Sequence, residues 1–240
     1  MNMMNKPKND GFTLVELLVV IVIIASLAAL ALTIGPRMLA RGKATVSMEN
    51  MRQISPLLTM YATDHSMKLP PILGPETKPD GTVQNVQWNE VCLALLYPTT
   101  DPADFKNKAW WDKNKAILRN PLLEEGKGWA PLNPGYAMNE MIAENIAAAN
   151  PDIGAPGDTL AMSVPMSMIT DPSHTPLIAP FNDYHYRFDD GQISSFSGPL
   201  KVLLSEGKFP ILFVDGHIDV MTPTEYKDRQ LAKMPLDPSK

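Results

Sequence analysis

The first apolar stretch of this chain begins at Gly11 and runs Phe12-Thr13-Leu14-Val15-Glu16 and onward to Ile34, with Glu16 as its one charged residue. Apolar side chains on every side of a helix suit lipid better than a protein core, which needs only one apolar stripe. From Phe12 to Ile34 a helix would rise about 34 Å, enough to cross a hydrocarbon core of about 30 Å. Beyond Gly35-Pro36 the pattern changes. Ala44, Met48, Met51, Ile54, Leu58 and Tyr61 recur at steps of three or four, while Lys43, Glu49, Arg52 and Gln53 fall between them. That spacing predicts an amphipathic helix half covered by the rest of the protein. A kink or loosened turn is expected at Gly35-Pro36, and Asp64 with Pro70-Pro71 should end the helix.

The remaining pattern is shorter in period. Helices are predicted over Trp88 to Leu96 and over Met138 to Ala149, the second opened by Asn139 and closed by Asn150-Pro151. Leu160, Met162, Val164, Met166 and Met168 alternate as in a strand, and Thr175 to Phe181 and Ile211 to Met221 are apolar runs of β type. Inside the last run Asp215-Gly216 separates two apolar segments, which predicts a hairpin closed by a two-residue type I′ turn. The loop holding Trp110 and Trp111 has no clear pattern. Together these elements predict an α+β fold, a long N-terminal helix packed on a small antiparallel sheet. The expected organisation is a leader over 1–11, a membrane helix over 12–35, an amphipathic continuation over 36–64 and a globular domain over 65–240.

Glu16 is the residue this pattern does not explain. A carboxylate at the centre of a bilayer span costs roughly 2.5 to 3.5 kcal/mol on insertion scales, and one near the end is still expensive unless a positive group meets it. The string Gly11-Phe12-Thr13-Leu14-Val15-Glu16 resembles the cleavage and methylation motif of type IV pilins and type II secretion pseudopilins. The resemblance implies a pilin-like fold, with cleavage by a prepilin peptidase after Gly11 and methylation of the new N-terminal Phe12. It assigns Glu16 to assembly, where the carboxylate meets the N-terminal amine of a neighbouring subunit. Two other readings stay open: a secretory signal cut near Ala29-Leu30-Ala31, and an unprocessed single-pass anchor. Lys6 and Lys8 precede the span while Arg37, Arg41 and Lys43 follow it, so charge does not set the orientation. The resemblance places the leader in the cytoplasm, the span in the inner membrane and the globular domain in the periplasm or outside the cell.

Composition narrows the partners. The 240 residues carry a net charge of -5 and a pI near 5.4, and no basic stretch is interleaved with aromatics, so nucleic acid is not an expected partner. Cys92 is the single cysteine, which excludes an intrachain disulfide. The 23 prolines lie mostly after Leu69 and predict short elements there. His65, His174, His185 and His217 are scattered, without the spacing of a metal or catalytic motif. Asp215, Asp219 and Asp189-Asp190-Gly191 read as turn chemistry, with calcium the alternative. No catalytic residue, metal site or cofactor is therefore expected.

Several outer strings resemble a prepilin-like subgroup marked by a histidine, nine residues, then Asp-Gly. They are Arg52 to Pro70, Gly135-Tyr136-Ala137-Met138-Asn139, Thr175-Pro176-Leu177-Ile178 and Leu212 to His217. Ser205 stands where that subgroup has its histidine, and Asn120-Pro121 replaces its Cys-Pro. The combined reading is a non-enzymatic subunit of a type II secretion pseudopilus or type IV pilus-like filament. Its implied partners are a prepilin peptidase, other pilin or pseudopilin subunits, an inner-membrane assembly platform and membrane lipid. The competing reading is a membrane-tethered binding or enzymatic domain with a pilin-like anchor that does not polymerise.

Overall fold

The structure is a computed structural model that describes residues 12–77, 81–114, 117–121, 135–150, 159–181, 185–187 and 208–229. The chain divides into two compact units, Met1–Leu39 and Ala40–Lys240. Helix α1, Leu14–Asp64, contributes to both. Its helical assignment runs without a break across Gly35 and Pro36, where a loosened turn was expected, and across Pro56 as well. It ends at Asp64, as the sequence predicts.

In the first unit the apolar residues of α1 face outward. Leu14–Leu32 is apolar enough and long enough to cross a membrane, and none of it is buried within the protein. In the second unit α1 is amphipathic. Ser47, Met51, Ile54, Leu58 and Ala62 are essentially fully buried, and Ala44, Met48 and Tyr61 flank them as a half-buried margin. Lys43, Glu49, Arg52 and Gln53 are exposed on the other side. Burying each large apolar side chain of this stripe contributes about 1.5 to 3 kcal/mol.

The stripe meets a sheet of five strands in the order β5-β3-β4-β6-β7. These are β3 (Tyr136–Asn139), β4 (Pro176–Pro180), β5 (His185–Tyr186), β6 (Phe209–Phe213) and β7 (Ile218–Met221). The β3–β4, β4–β6 and β6–β7 pairs are antiparallel. The short edge strand β5 runs parallel to β3, which a purely antiparallel expectation missed. Tyr136, Met138, Ile178 and Leu212 share one core with Met51, Ile54 and Leu58. Ala137, Ala179, Ile211 and Phe213 form the other, with Tyr226 of the short helix α5 (Pro223–Asp228). Strand alternation thus gives the sheet two buried faces.

Other elements differ from expectation in instructive ways. Helix α2 is Trp88–Leu96, as predicted. The expected helix from Met138 begins only at Met141: Met138 and Asn139 belong to β3, and α4 is Met141–Ala149. The Asn139 carboxamide accepts from Met141 N–H at 3.1 Å, so it marks the helix start from inside the preceding strand. The alternating Leu160 to Met168 run is no strand. It forms two 3₁₀ turns, Thr159–Ala161 and Met166–Met168, because Pro165 between them cannot donate to a ladder. An antiparallel pair, β1 (Leu73–Thr77) and β2 (Val83–Gln87), went unpredicted, although Pro79-Asp80-Gly81 is a turn string. The segment with both tryptophans contains α3, Lys108–Asn114, and buries Trp111, whose indole N–H donates to Phe105 O at 2.7 Å.

Candidate functional site

Helix α1 begins where the sequence places its candidate processing and assembly residues. Gly11 lies outside the described residues. Phe12 is 81% exposed, and Leu14 begins the helix, so Thr13 holds the N-cap position. Thr13 N–H and Thr13 Oγ1–H both donate to Glu16 Oε2 at 2.8 Å, and Glu16 N–H donates back to Thr13 Oγ1 at 3.2 Å. Thr-x-x-Glu in this reciprocal arrangement is a capping box. It satisfies N–H groups that would otherwise lack partners at the start of a helix in an apolar medium. Glu16 therefore already has two donors within its own chain, a signal legible in Thr13-Leu14-Val15-Glu16 that the charge argument alone overlooks.

The Asp215-Gly216 turn sits at the other candidate position. Gly216 has φ of +90°, but Asp215 does not, since Ser66 and Met67 are the non-glycine residues of positive φ among those described. The expected two-residue type I′ turn is therefore corrected. Gly216 N–H donates to Phe213 O at 3.0 Å, and Phe213 N–H donates to His217 O at 3.0 Å. This is a three-residue loop, Val214-Asp215-Gly216, with the glycine in the left-handed bulge position. The Asp215 carboxylate accepts from His217 N–H at 3.1 Å, and the His217 ring nitrogen Nδ1 lies 2.6 Å from it. Asp219 pairs with Arg229.

The other histidines are engaged locally. His65 stacks on Tyr61 and bonds that residue's carbonyl at 2.8 Å. His185, on the edge strand, lies 2.7 Å from Glu140, and Arg187 pairs with Glu144. Asp171, Ser173 and His174 have the residue types of a hydrolase triad but not its relay. Ser173 Oγ at 3.1 Å and Asp171 at 3.0 Å both approach the same nitrogen, Nδ1 of His174, within one exposed turn. Among the described residues no group of three or more His, Cys, Asp or Glu side chains is placed to hold a metal ion. Cys92 is fully buried, and burial pushes its thiol up to about 12, which keeps it protonated and unreactive. Ser205 and Asp189-Asp190-Gly191 lie outside the described residues.

Comparison with known proteins finds similarity in the same N-terminal segment. The family described as the prokaryotic N-terminal methylation motif matches residues 6–32. The chain is 34% identical over 93 residues to the type II secretion system core protein G of Pseudomonas aeruginosa PAO1. That match takes in 36% of this chain and spans 63% of the relative's length. No solved structure matches the chain. A methylation motif, a pseudopilin relative and, among the described residues, one helix long and apolar enough to cross a membrane converge on one description: the chain is similar to pilins and pseudopilins over part of its length.

Proposed function

We propose that this chain is the precursor of a subunit of a pseudopilus or type IV pilus-like filament. A prepilin peptidase removes residues 1–11 on the cytoplasmic side, and Phe12 becomes the methylated N-terminus. The mature subunit waits in the inner membrane with residues 40–240 outside the cytoplasm. It then joins other subunits through an assembly platform, its helix packing against theirs. The observation that carries this reading is the start of α1. Its apolar surface lies open on all sides, yet its first turn holds a carboxylate one turn from the proposed new amine. In a bundle of such helices, exposed apolar side chains pack together and each Glu16 meets a neighbour's amine. A buried carboxylate with a cation partner is tolerated where a lone one is not.

The test is the mass of the membrane-extracted protein together with the fate of a Glu16→Leu variant. The parent should begin at Phe12 and carry one added methyl group. Glu16→Leu should insert at least as well, because a charged group leaves the apolar run, but should fail to enter filaments. A mature chain beginning near Thr33, or one retaining Met1, overturns the processing reading; filaments of Glu16→Leu at parental yield overturn the assembly role.

A further inference from the structure

The apolar pattern of α1 does not by itself account for the face that the helix turns to the sheet. By pattern Ala44, Met48 and Met51 point inward, yet Ser47 is 0% exposed and Asn50 8%, while Ala44 and Met48 are only half-buried. Around a helix, Met48 and Asn50 lie on opposite flanks of Ser47, about 100° and about 60° away. The helix is thus turned away from Met48 and toward two polar residues. Further along, Leu57 holds the Asn50 flank by apolar burial, but over the turns from Ala44 to Asn50 the inward positions on that side are polar. Burying polar groups in preference to a methionine is unfavourable unless they are bonded.

Both are bonded. The Tyr136 hydroxyl, on β3, donates to Ser47 O at 3.1 Å and lies 3.3 Å from Ser47 Oγ, and Asn50 Nδ2–H donates to Arg119 O at 3.3 Å. We propose that Tyr136 and Asn50 are positioning residues that set the rotation of α1 on the sheet, and so decide which face of α1 meets a second copy of this chain. This rests on the filament role proposed above. Met48 and Met51 are flexible side chains that fill several arrangements equally well, so the apolar stripe specifies rotation poorly. A hydrogen bond with one direction and one length specifies it well, and fixing register is the best-attested use of a buried polar group. With the rotation set, Lys43, Val46, Glu49 and Arg52 are held outward, Val46 being 51% exposed. A second copy is the occupant because the same helix carries the exposed apolar run of the proposed subunit packing, and because this face bears both signs of charge and can complement itself. Repeated addition to a filament requires every subunit to present the same face, and a helix free to turn would present several.

The experiment uses the full chain, made with its peptidase and assembly machinery, and compares the parent with Tyr136→Phe, with Asn50→Ala and with both together. Rotation is read by thiol labelling of Val46→Cys and Arg52→Cys, which lie on opposite flanks of the outward face, while the buried Cys92 stays silent. In the two-site variant α1 should turn toward Met48, so labelling should rise several-fold at Val46→Cys and fall by a similar factor at Arg52→Cys. General loosening would instead raise both. The yield of filaments per processed subunit should fall about fivefold for each bond removed, the ratio that a typical net hydrogen bond sets. Ile54→Val trims the core without touching either bond, and should lower stability yet assemble as the parent does. Unchanged labelling in the two-site variant, or a rise at both reporters, overturns the rotational role. Opposite changes accompanied by parental filament yield overturn its bearing on assembly. If Asn50→Ala prevents folding, Tyr136→Phe alone is read by the same two reporters against the same outcomes. A parent that makes no filaments overturns the proposed function, and the labelling still decides whether Tyr136 and Asn50 set the rotation.

Discussion

At the tip of the β6–β7 hairpin, Gly216 meets two independent constraints. Its φ of +90° favours a residue without a side chain, and a Cβ added there would come within 2.9 Å of Ser55 Oγ on α1. The turn is thus pressed against the helix as well as bent through a left-handed position. Gly216→Val should destabilise the folded unit by about 1 to 3 kcal/mol from backbone strain alone, with the Ser55 contact adding to it. Chemical denaturation of the protein in detergent measures this. Gly216→Ala in a Ser55→Gly background should recover the part that belongs to the contact. Asp215 is constrained in another way, since its carboxylate is engaged by the backbone and ring of His217. Tyr136, fully buried, donates its hydroxyl to Ser47 O at 3.1 Å and so ties β3 to the inner face of α1. Burial pushes the ionisation of that phenol above its ordinary range, with the Ser47 bond opposing, so it remains a donor at any physiological pH.

At the scale of elements, the end of α1 decides how the following chain is used. Ser66 and Met67 have φ of 57° and 58°, and Met67 N–H donates to Ala62 O at 2.7 Å, closing the last turn. The reversal lets Met67 O accept from Met166 N–H at 2.9 Å and Leu69 N–H donate to Val164 O at 2.8 Å. It is this pairing, rather than a sheet, that occupies the alternating segment around Pro165. A left-handed residue costs about 1 to 2 kcal/mol when it bears a side chain. Glycine relieves that cost but gains freedom in the unfolded chain. With the Met67 side chain 51% exposed, Met67→Gly should therefore stabilise the protein by about 0.5 to 1 kcal/mol. A lower denaturation midpoint in that variant would show that the side chain contributes more by packing than the turn loses by strain.

For the molecule as a whole, charge sets the acid limit. The Lys108 side chain, and then Arg119, hold the Asp112 carboxyl below its usual value, and Ser173 and His174 do the same for Asp171. Burial pushes Asp219 up, but its bonds to Arg229 and to the Val220 N–H outweigh that and leave it lowered. The Thr222 backbone and hydroxyl lower Glu225, the far member of the α5 capping box. Each group binds its proton more weakly when folded. The stability each contributes is thus present above its unfolded value, 3.8 for Asp and 4.5 for Glu, and is lost as pH falls through the folded value. The melting temperature of the protein in detergent should stay nearly level from about pH 7 to 5 and fall below about pH 4. Replacing Asp219 and Glu225 by Asn and Gln should flatten the acid limb; an unchanged acid limb would remove these groups from the account.

Features that depend on near neighbours along the chain are legible in the residue pattern. The unbroken apolar run to Ile34, the three-and-four spacing from Ala44 to Tyr61, the end of α1 at Asp64 and the span of α2 all follow from local pattern, because helices are built from contacts three and four residues apart. The Thr13-Glu16 box belongs to that class too, and was missed only because a charge in an apolar run invites the search for a distant partner. Tertiary structure decided what local pattern leaves equivalent. Met138 and Asn139 suit a helix start or a strand end, and pairing with β4 made them strand. Asp215 and Gly216 suit a two-residue or a three-residue hairpin loop, and the observed register, with Leu212 opposite Ile218, selected the longer one. The parallel edge strand β5 has only two residues, too few to carry a period, so its place beside β3 rests on contacts far apart in sequence. Helical order and the β6–β7 hairpin were legible because their partners are close along the chain; the order of β5, β3, β4 and β6 was not, because those partners lie far apart in it.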